Sequence, residues 1–267
     1  MVEIILPKQI SDHRLDTFLK IFFLIKNKHG IHLNWSNVSE ISPAGLAILS
    51  CLFDSIIENK VQVKNTKIKK EFKNIPAVAN LSNILQYKAL PAPSIQNYHD
   101  ENSILRGNTL IDINFIDNIY ELCGIKLSKE LLFSCKLIFN ELMINSIDHS
   151  SSERYYTYAG KSGKEFHIGV LDMGVGIPAK LEQKYICTND LAYLELALKE
   201  GSTTRRQRPG GLGLSHTLDV LKNHQGKLTI LSRNAQIKQY FLTRKTAKSI
   251  LTYQLNGTWC FTRFPWS

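Results

Sequence analysis

Three polar residues recur at four-residue intervals within one apolar-periodic stretch: Glu141, Asn145 and His149. Four residues advance a helix by about 400°, so the three form one slowly drifting stripe. It runs beside an apolar stripe of Leu131, Cys135, Ile138 and Leu142. A carboxylate, an amide and an imidazole in line suit work on a Mg2+-bound phosphate. The amide oxygen is a hard ligand of the kind Mg2+ prefers. The carboxylate can take a proton from a water or hydroxyl nucleophile. Taken alone, the spacing also fits an amphipathic helix showing its polar face.

Two glycine-containing loops and one threonine carry complementary chemistry. In Leu171-Asp172-Met173-Gly174-Val175-Gly176, the preceding Phe166, Ile168 and Val170 alternate, which puts Asp172 at a strand end. A carboxylate there can accept a hydrogen bond from an exocyclic amine such as adenine N6, and the glycines let backbone approach a flat ring. A plain glycine turn is the simpler reading of that loop. Pro209-Gly210-Gly211-Leu212-Gly213-Leu214 precedes another apolar-periodic segment. Glycine-rich backbone entering a helix presents N–H groups and the positive dipole end, a phosphate cradle. Thr203, Thr204, Arg205, Arg206 and Arg208 add donors and charge just upstream. The pattern is neither a Walker loop nor a dinucleotide loop, since no strand closely precedes it. In Asn256-Gly257-Thr258, the threonine hydroxyl can assist Asp172 in holding adenine.

The elements that must position these residues are readable from periodicity. A long helix spans 128–149, with Ser128 as N-cap and Glu130 in its first turn. A hairpin follows, 155–158 and 166–171, turning through 161–164. A helix over 214–224 stops at Gly226, and strands near 227–231 and 257–264 close the unit. Upstream, strands at 2–6 and 31–35 alternate with helices at 14–25 and 45–57. The basic stretch 60–70 reads as a lysine-protected edge strand. Pro91 and Pro93 interrupt regular structure. The division is residues 1–95 as one domain, 96–106 as connector and 107–267 as a second domain. The fold class is α/β, in the α+β sense: a sheet-and-helix domain followed by a two-layer α/β sandwich.

Composition bounds the rest. The chain has 267 residues, 43% hydrophobic and 21% charged, which excludes wholesale disorder, collagen and coiled coil. No apolar run reaches the roughly 20 residues of a membrane span. The start, MVEIILPKQ, does not have the pattern of a signal peptide. The net charge of +10 favours anionic partners. Five scattered cysteines with no C-x-x-C pair read as reduced packing residues of a cytoplasmic protein, not as zinc ligands.

Together, E-L-x-x-N-x-x-x-H, D-x-G-x-G, G-G-L-G-L and a G-T before the last strand resemble the GHKL ATP-binding superfamily over roughly residues 104–267. Among its members, the pattern is most similar to the anti-sigma-factor serine kinases, because His149 ends the first motif. The resemblance implies a Bergerat fold with a lid, matched here by the segment between Thr188 and Pro209. It implies ATP and Mg2+ as cofactors, Glu141 as general base and Asn145 as the metal ligand. It implies Asp172 as adenine acceptor, with Gly174, Gly176 and Thr258 beside the base. It also places Asp148, His149, Thr203, Thr204, Arg205, Gly210, Gly211, Leu212, Gly213 and Leu214 around the nucleotide.

WSNVSEISPAGLAIL resembles the strand–loop–helix of a STAS domain. That family carries a phosphoacceptor serine where this chain has Pro43, with Ser42 one place off. The N-terminal part is therefore expected to be a regulatory or docking module. The function these resemblances imply is a serine/threonine protein kinase of the anti-sigma switch type, acting on a partner protein of the STAS or sigma-factor kind. The alternative is an ATP-gated switch or slow ATPase without kinase activity, with a homodimer among the possible assemblies. Nucleic acid is not an expected partner, since no aromatic residue interleaves the lysines of 60–70.

Overall fold

A computed structural model describes residues 1–75, 78, 97–99, 103–108, 127–152, 155–199 and 213–265. The N-terminal part begins with β1 (Val2–Ile5), β2 (Gln9–Ile10) and helix α1 (Leu15–Lys26). It continues through β3 (Ile31–Asn34), β4 (Glu40–Ile41), α2 (Pro43–Asn59), β5 (Val63–Thr66) and a single turn, α3 (Lys70–Lys73). β1, β3 and β5 form a parallel sheet, with β5 at one edge. The basic stretch 60–70 is thus an edge strand of four residues, shorter than expected, and its end turns into α3. α1 buries Leu15, Phe18, Leu19 and Phe22, the i, i+3, i+4, i+7 set of a one-faced helix. α2 starts at Ser42, whose hydroxyl accepts from the Gly45 N–H at 3.1 Å, with Pro43 in the first turn.

The second part has β6 (Asn97–His99), β7 (Ser103–Asn108), α4 (Lys129–His149), β8 (Tyr155–Ser162) and β9 (Glu165–Asp172). Short helices α5 (Gly176–Leu181) and α6 (Asp190–Ala197) follow, then α7 (Gly213–Asn223), β10 (Lys227–Tyr240) and β11 (Lys245–Pro265). Six strands make one antiparallel sheet in the order β10-β11-β9-β8-β7-β6. Two of its strands lie within or across 96–106, the stretch read as a connector; β7 also crosses the expected boundary at 107. The fold is mixed α/β, and among the described residues no helix is long and apolar enough to cross a membrane.

Period-two alternation sends the sheet's side chains into two separate cores. Phe166, Ile168, Val170, Ile230 and Cys260 pack under α4, α6 and α7. Tyr156, Tyr158, Leu171, Leu231, Trp259 and Phe261 join the core of the N-terminal helices. Trp259 stands edge-on to Phe22 of α1 at 5.5 Å, and the Tyr156 hydroxyl donates to Asp54 of α2 at 2.6 Å. The N-terminal part is thus bound to the back of the sheet by shared core.

β10 and β11 run well past the strands expected near 227–231 and 257–264, and they bend sharply. Between the pairs Ser232↔Thr258 and Ala235↔Ile250, β10 advances three residues and β11 eight, so β10 takes the inside of the turn. Arg233 sits there at φ 50°. Past the bend, the Phe241 N–H donates to the Gly226 carbonyl at 3.0 Å. The end of a strand that would span roughly 45 Å if straight thus returns to its start.

A buried polar cluster joins the two parts. Arg263, at the end of β11, pairs with Asp12, and both are buried. Arg263 Nη1 also donates to His13 Nε2 at 3.1 Å and lies 3.5 Å from Glu165, which Lys227 holds at 2.5 Å. His167, facing the same cluster, is buried with both ring nitrogens unbonded among the described residues. Burial, and then Arg263, hold its pKa down at about 4; the same two causes lower that of His13.

Asp12→Ala takes the nearest carboxylate from the buried Arg263 guanidinium and leaves it only Glu165 at 3.5 Å, which should cost about 3 kcal/mol in urea unfolding followed by tryptophan fluorescence. A histidine kept neutral by the fold stabilises fully above its unfolded pKa of 6.5, and that contribution is lost as pH falls toward 4. Melting temperature should therefore fall across that window, and His167→Leu should flatten the fall. An unchanged slope in the variant would remove this role from His167.

Candidate functional site

Asp172 ends β9 with its side chain 3% exposed. Its Oδ1 accepts from the Gly174 N–H at 2.9 Å and from the Thr258 N–H at 3.2 Å. Burial pushes the carboxyl pKa up to about 7, against the downward pull of those two hydrogen bonds. Both bonds fall on Oδ1, so Oδ2 keeps its lone pairs for a further donor.

The loop after Asp172 is shaped by what it touches. A Cβ on Gly174 would stand 1.9 Å from the Ser150 carbonyl oxygen, which accepts from the Val175 N–H at 2.8 Å. Ser150 follows His149, so the C-terminal end of α4 abuts the D-x-G-x-G loop. Gly176 starts α5. Gly257 has φ 105°, and a Cβ there would meet the Asp172 carbonyl oxygen at 2.1 Å. Only glycine lets β11 pass that close to the end of β9.

Glu141 and Asn145 are half-buried on α4 and make no hydrogen bond among the described residues; His149 is half-buried and Asp148 exposed. Asn145 thus keeps a hard oxygen available to a cation. Among the described residues, no group of three His, Cys, Asp or Glu side chains is placed to hold a metal ion. Gly213 is the first residue of α7, and Leu214 packs partly buried against the core under the sheet. Thr203, Thr204, Arg205, Gly210, Gly211 and Leu212 lie outside the described residues. Of the segment read as a lid, 188–199 is described, and it holds α6.

Two residues at the β10 bend escaped the sequence reading. Ser232, fully buried, donates its hydroxyl to the Gly257 carbonyl at 3.0 Å and lies 3.0 Å from the Thr258 hydroxyl. It also accepts from the Ile177 N–H at 2.9 Å. Arg233 forms a two-pronged pair with Glu182 at 2.7 and 2.9 Å and reaches Asp190 at 3.0 Å. The one hint in the sequence is that polar Ser232-Arg233-Asn234 follows the mostly apolar Leu228-Thr229-Ile230-Leu231, which does not by itself announce a bend.

Ser42, the hydroxyl nearest the acceptor position of the resembled family, is buried. It donates to the Ile10 carbonyl at 3.2 Å while capping α2. A groove of about 880 Å3 opens away from Asp172, at the far end of α7 among Lys222, Gln239, Arg244 and Lys245. No protein-family model matches the chain, and no curated protein matches it.

With its folded pKa raised, Asp172 binds a proton more tightly in the fold than in the unfolded chain. Its charged form therefore destabilises the fold as pH rises from about 4 through 7. Asp172→Asn keeps an acceptor for both N–H groups and removes that charge. It should raise the melting temperature at pH 8 by about 2–4 °C and leave it unchanged at pH 4. A lower melting temperature at pH 8 would contradict the assignment.

Proposed function

We propose that this chain is an ATP-binding regulatory protein whose C-terminal part is a GHKL-type nucleotide domain of Bergerat fold. We assign it as a serine/threonine kinase of the anti-sigma switch type, acting on a partner protein. The observation that carries the reading is Asp172: a buried strand-end carboxyl, cradled by Gly174 and Thr258 backbone N–H groups. That is the acceptor an adenine amine needs. Gly174 and Thr258, which the reading puts beside the base, donate to that carboxyl, and the C-terminal end of α4 reaches the same loop through Ser150.

In this reading Glu141 orients the attacking hydroxyl and takes its proton. Asn145 supplies a protein oxygen to Mg2+, which when bound offsets phosphate charge. The N-terminus of α7, at Gly213, faces the phosphates. Ser42 is not the acceptor, since its hydroxyl is buried and engaged at both ends as a helix cap. Phosphate is delivered to another protein.

One observation favours the alternative, an ATP-gated switch without transfer to protein. The N-terminal helices share a core with strands β9 and β11, which carry Asp172 and Thr258. A change in β11 on nucleotide binding would reach α1 directly through Trp259 and Phe22.

The test is γ-labelled ATP with Mg2+, purified protein and lysate of the source cells, following free phosphate and protein-bound label together. Label on a second protein, reduced about 10²–10⁴-fold by Glu141→Ala, is the result expected. Free phosphate alone would establish the switch instead. Asp172→Asn should weaken ATP binding by about 1.5–3 kcal/mol in calorimetry. Unaltered affinity would mean that adenine is not held there.

A further inference from the structure

We propose that the Ser232–Arg233 bend of β10 is the positioning element of the base pocket: Ser232 makes the pocket selective for an amine-bearing purine, and Arg233 passes its occupancy to α6. The proposal rests on the ATP-binding reading and goes beyond it.

Counting protons gives the first half. A serine hydroxyl has one proton and two lone pairs. That of Ser232 gives its proton to the Gly257 carbonyl and accepts the Ile177 N–H. One lone pair remains, and the Thr258 hydroxyl lies 3.0 Å from it. Thr258 must therefore spend its own proton on Ser232, which leaves only lone pairs for a ligand. Asp172, when ionised, also presents only lone pairs. A pocket whose two side-chain groups both accept suits an exocyclic amine, which carries two N–H donors. Above about pH 8, where Asp172 is ionised, it disfavours a purine with a carbonyl at that position, so the nucleotides are compared there. Remove the Ser232 hydroxyl, and the Thr258 proton is free to turn toward a carbonyl.

The second half is a chain of contacts. Ser232 fixes the start of α5 through the Ile177 N–H. Arg233, the next residue, clamps Glu182 at the end of α5 and Asp190 at the start of α6. Its φ of 50° belongs to the same bend. Base pocket, α5 and α6 are thereby joined through two adjacent residues.

The test uses the full-length protein and compares ATP with inosine triphosphate, which carries a carbonyl in place of the amine. Wild type should prefer ATP, and Ser232→Ala should reduce that preference by about 3–10-fold, the worth of one neutral hydrogen bond. A merely structural role would weaken both nucleotides equally, and that result would overturn the first half. In hydrogen exchange, ATP should protect amides of 190–197 in wild type, and Arg233→Gln should lose more than half of that protection. Full protection in Arg233→Gln would overturn the second half. Arg233 is partly exposed, so this variant reports even where Ser232→Ala fails to fold. Wild type binding neither nucleotide would remove the ATP reading and this proposal with it. Binding with unaltered preference in Ser232→Ala removes the proposal alone.

Discussion

A carboxyl group taken out of water at a strand end must find donors or give up its charge. At Asp172 both tendencies are visible. Two backbone N–H groups converge on its Oδ1, and its pKa still rises to about 7. Much of the second part of the chain is arranged around that compromise. One donor requires β11 to pass close over the end of β9, which only Gly257 permits. The other comes from Gly174, where the loop packs on the end of α4 too closely for any Cβ.

The sheet that carries this site has no free face over its central strands. One side closes on α4, α6 and α7, the other on α1 and α2. Sharing a core on the second side has a consequence that tethering by a flexible segment would not. Residues one step apart on β11 belong to different compartments: Thr258 reaches the site, while Trp259 packs on Phe22. Alternation along a strand is what allows a single residue step to connect the Asp172 cluster to the core of the N-terminal helices. The buried Arg263–Asp12 pair and its histidine neighbours pin the other end of the same strand.

The helices were legible because their periodicities are strong and their caps ordinary. Ser128 caps α4 through the Leu131 N–H, as its position before an apolar stripe implies. Gly226 does follow α7, though for a different reason than expected. Gln225 adopts the left-handed conformation, and Gly226 is needed because a Cβ would meet the Arg263 carbonyl at 2.7 Å. Asp172, Gly174, Gly176 and Thr258 were singled out because each type has a narrow chemical use at its place, and the structure gathers them where β9 meets β11. Ser232 and Arg233 were not, since their roles arise from a bend in β10 that no local period encodes. The length of β10 and β11 was missed for the same reason: polar residues on a ribbon folded back on itself look like loop. Strands β6 and β7 were hidden in a polar, proline-flanked stretch with no alternation to announce them.

The account's central claim is that adenine sits between Asp172 and Thr258. Photolabelling with 8-azido-ATP and Mg2+, followed by peptide mapping, addresses it most directly. Label should fall on the peptides that carry 172–177 and 255–259, and excess ATP should abolish it. Label confined to the groove at 239–246, or label that ATP does not displace, would contradict the account.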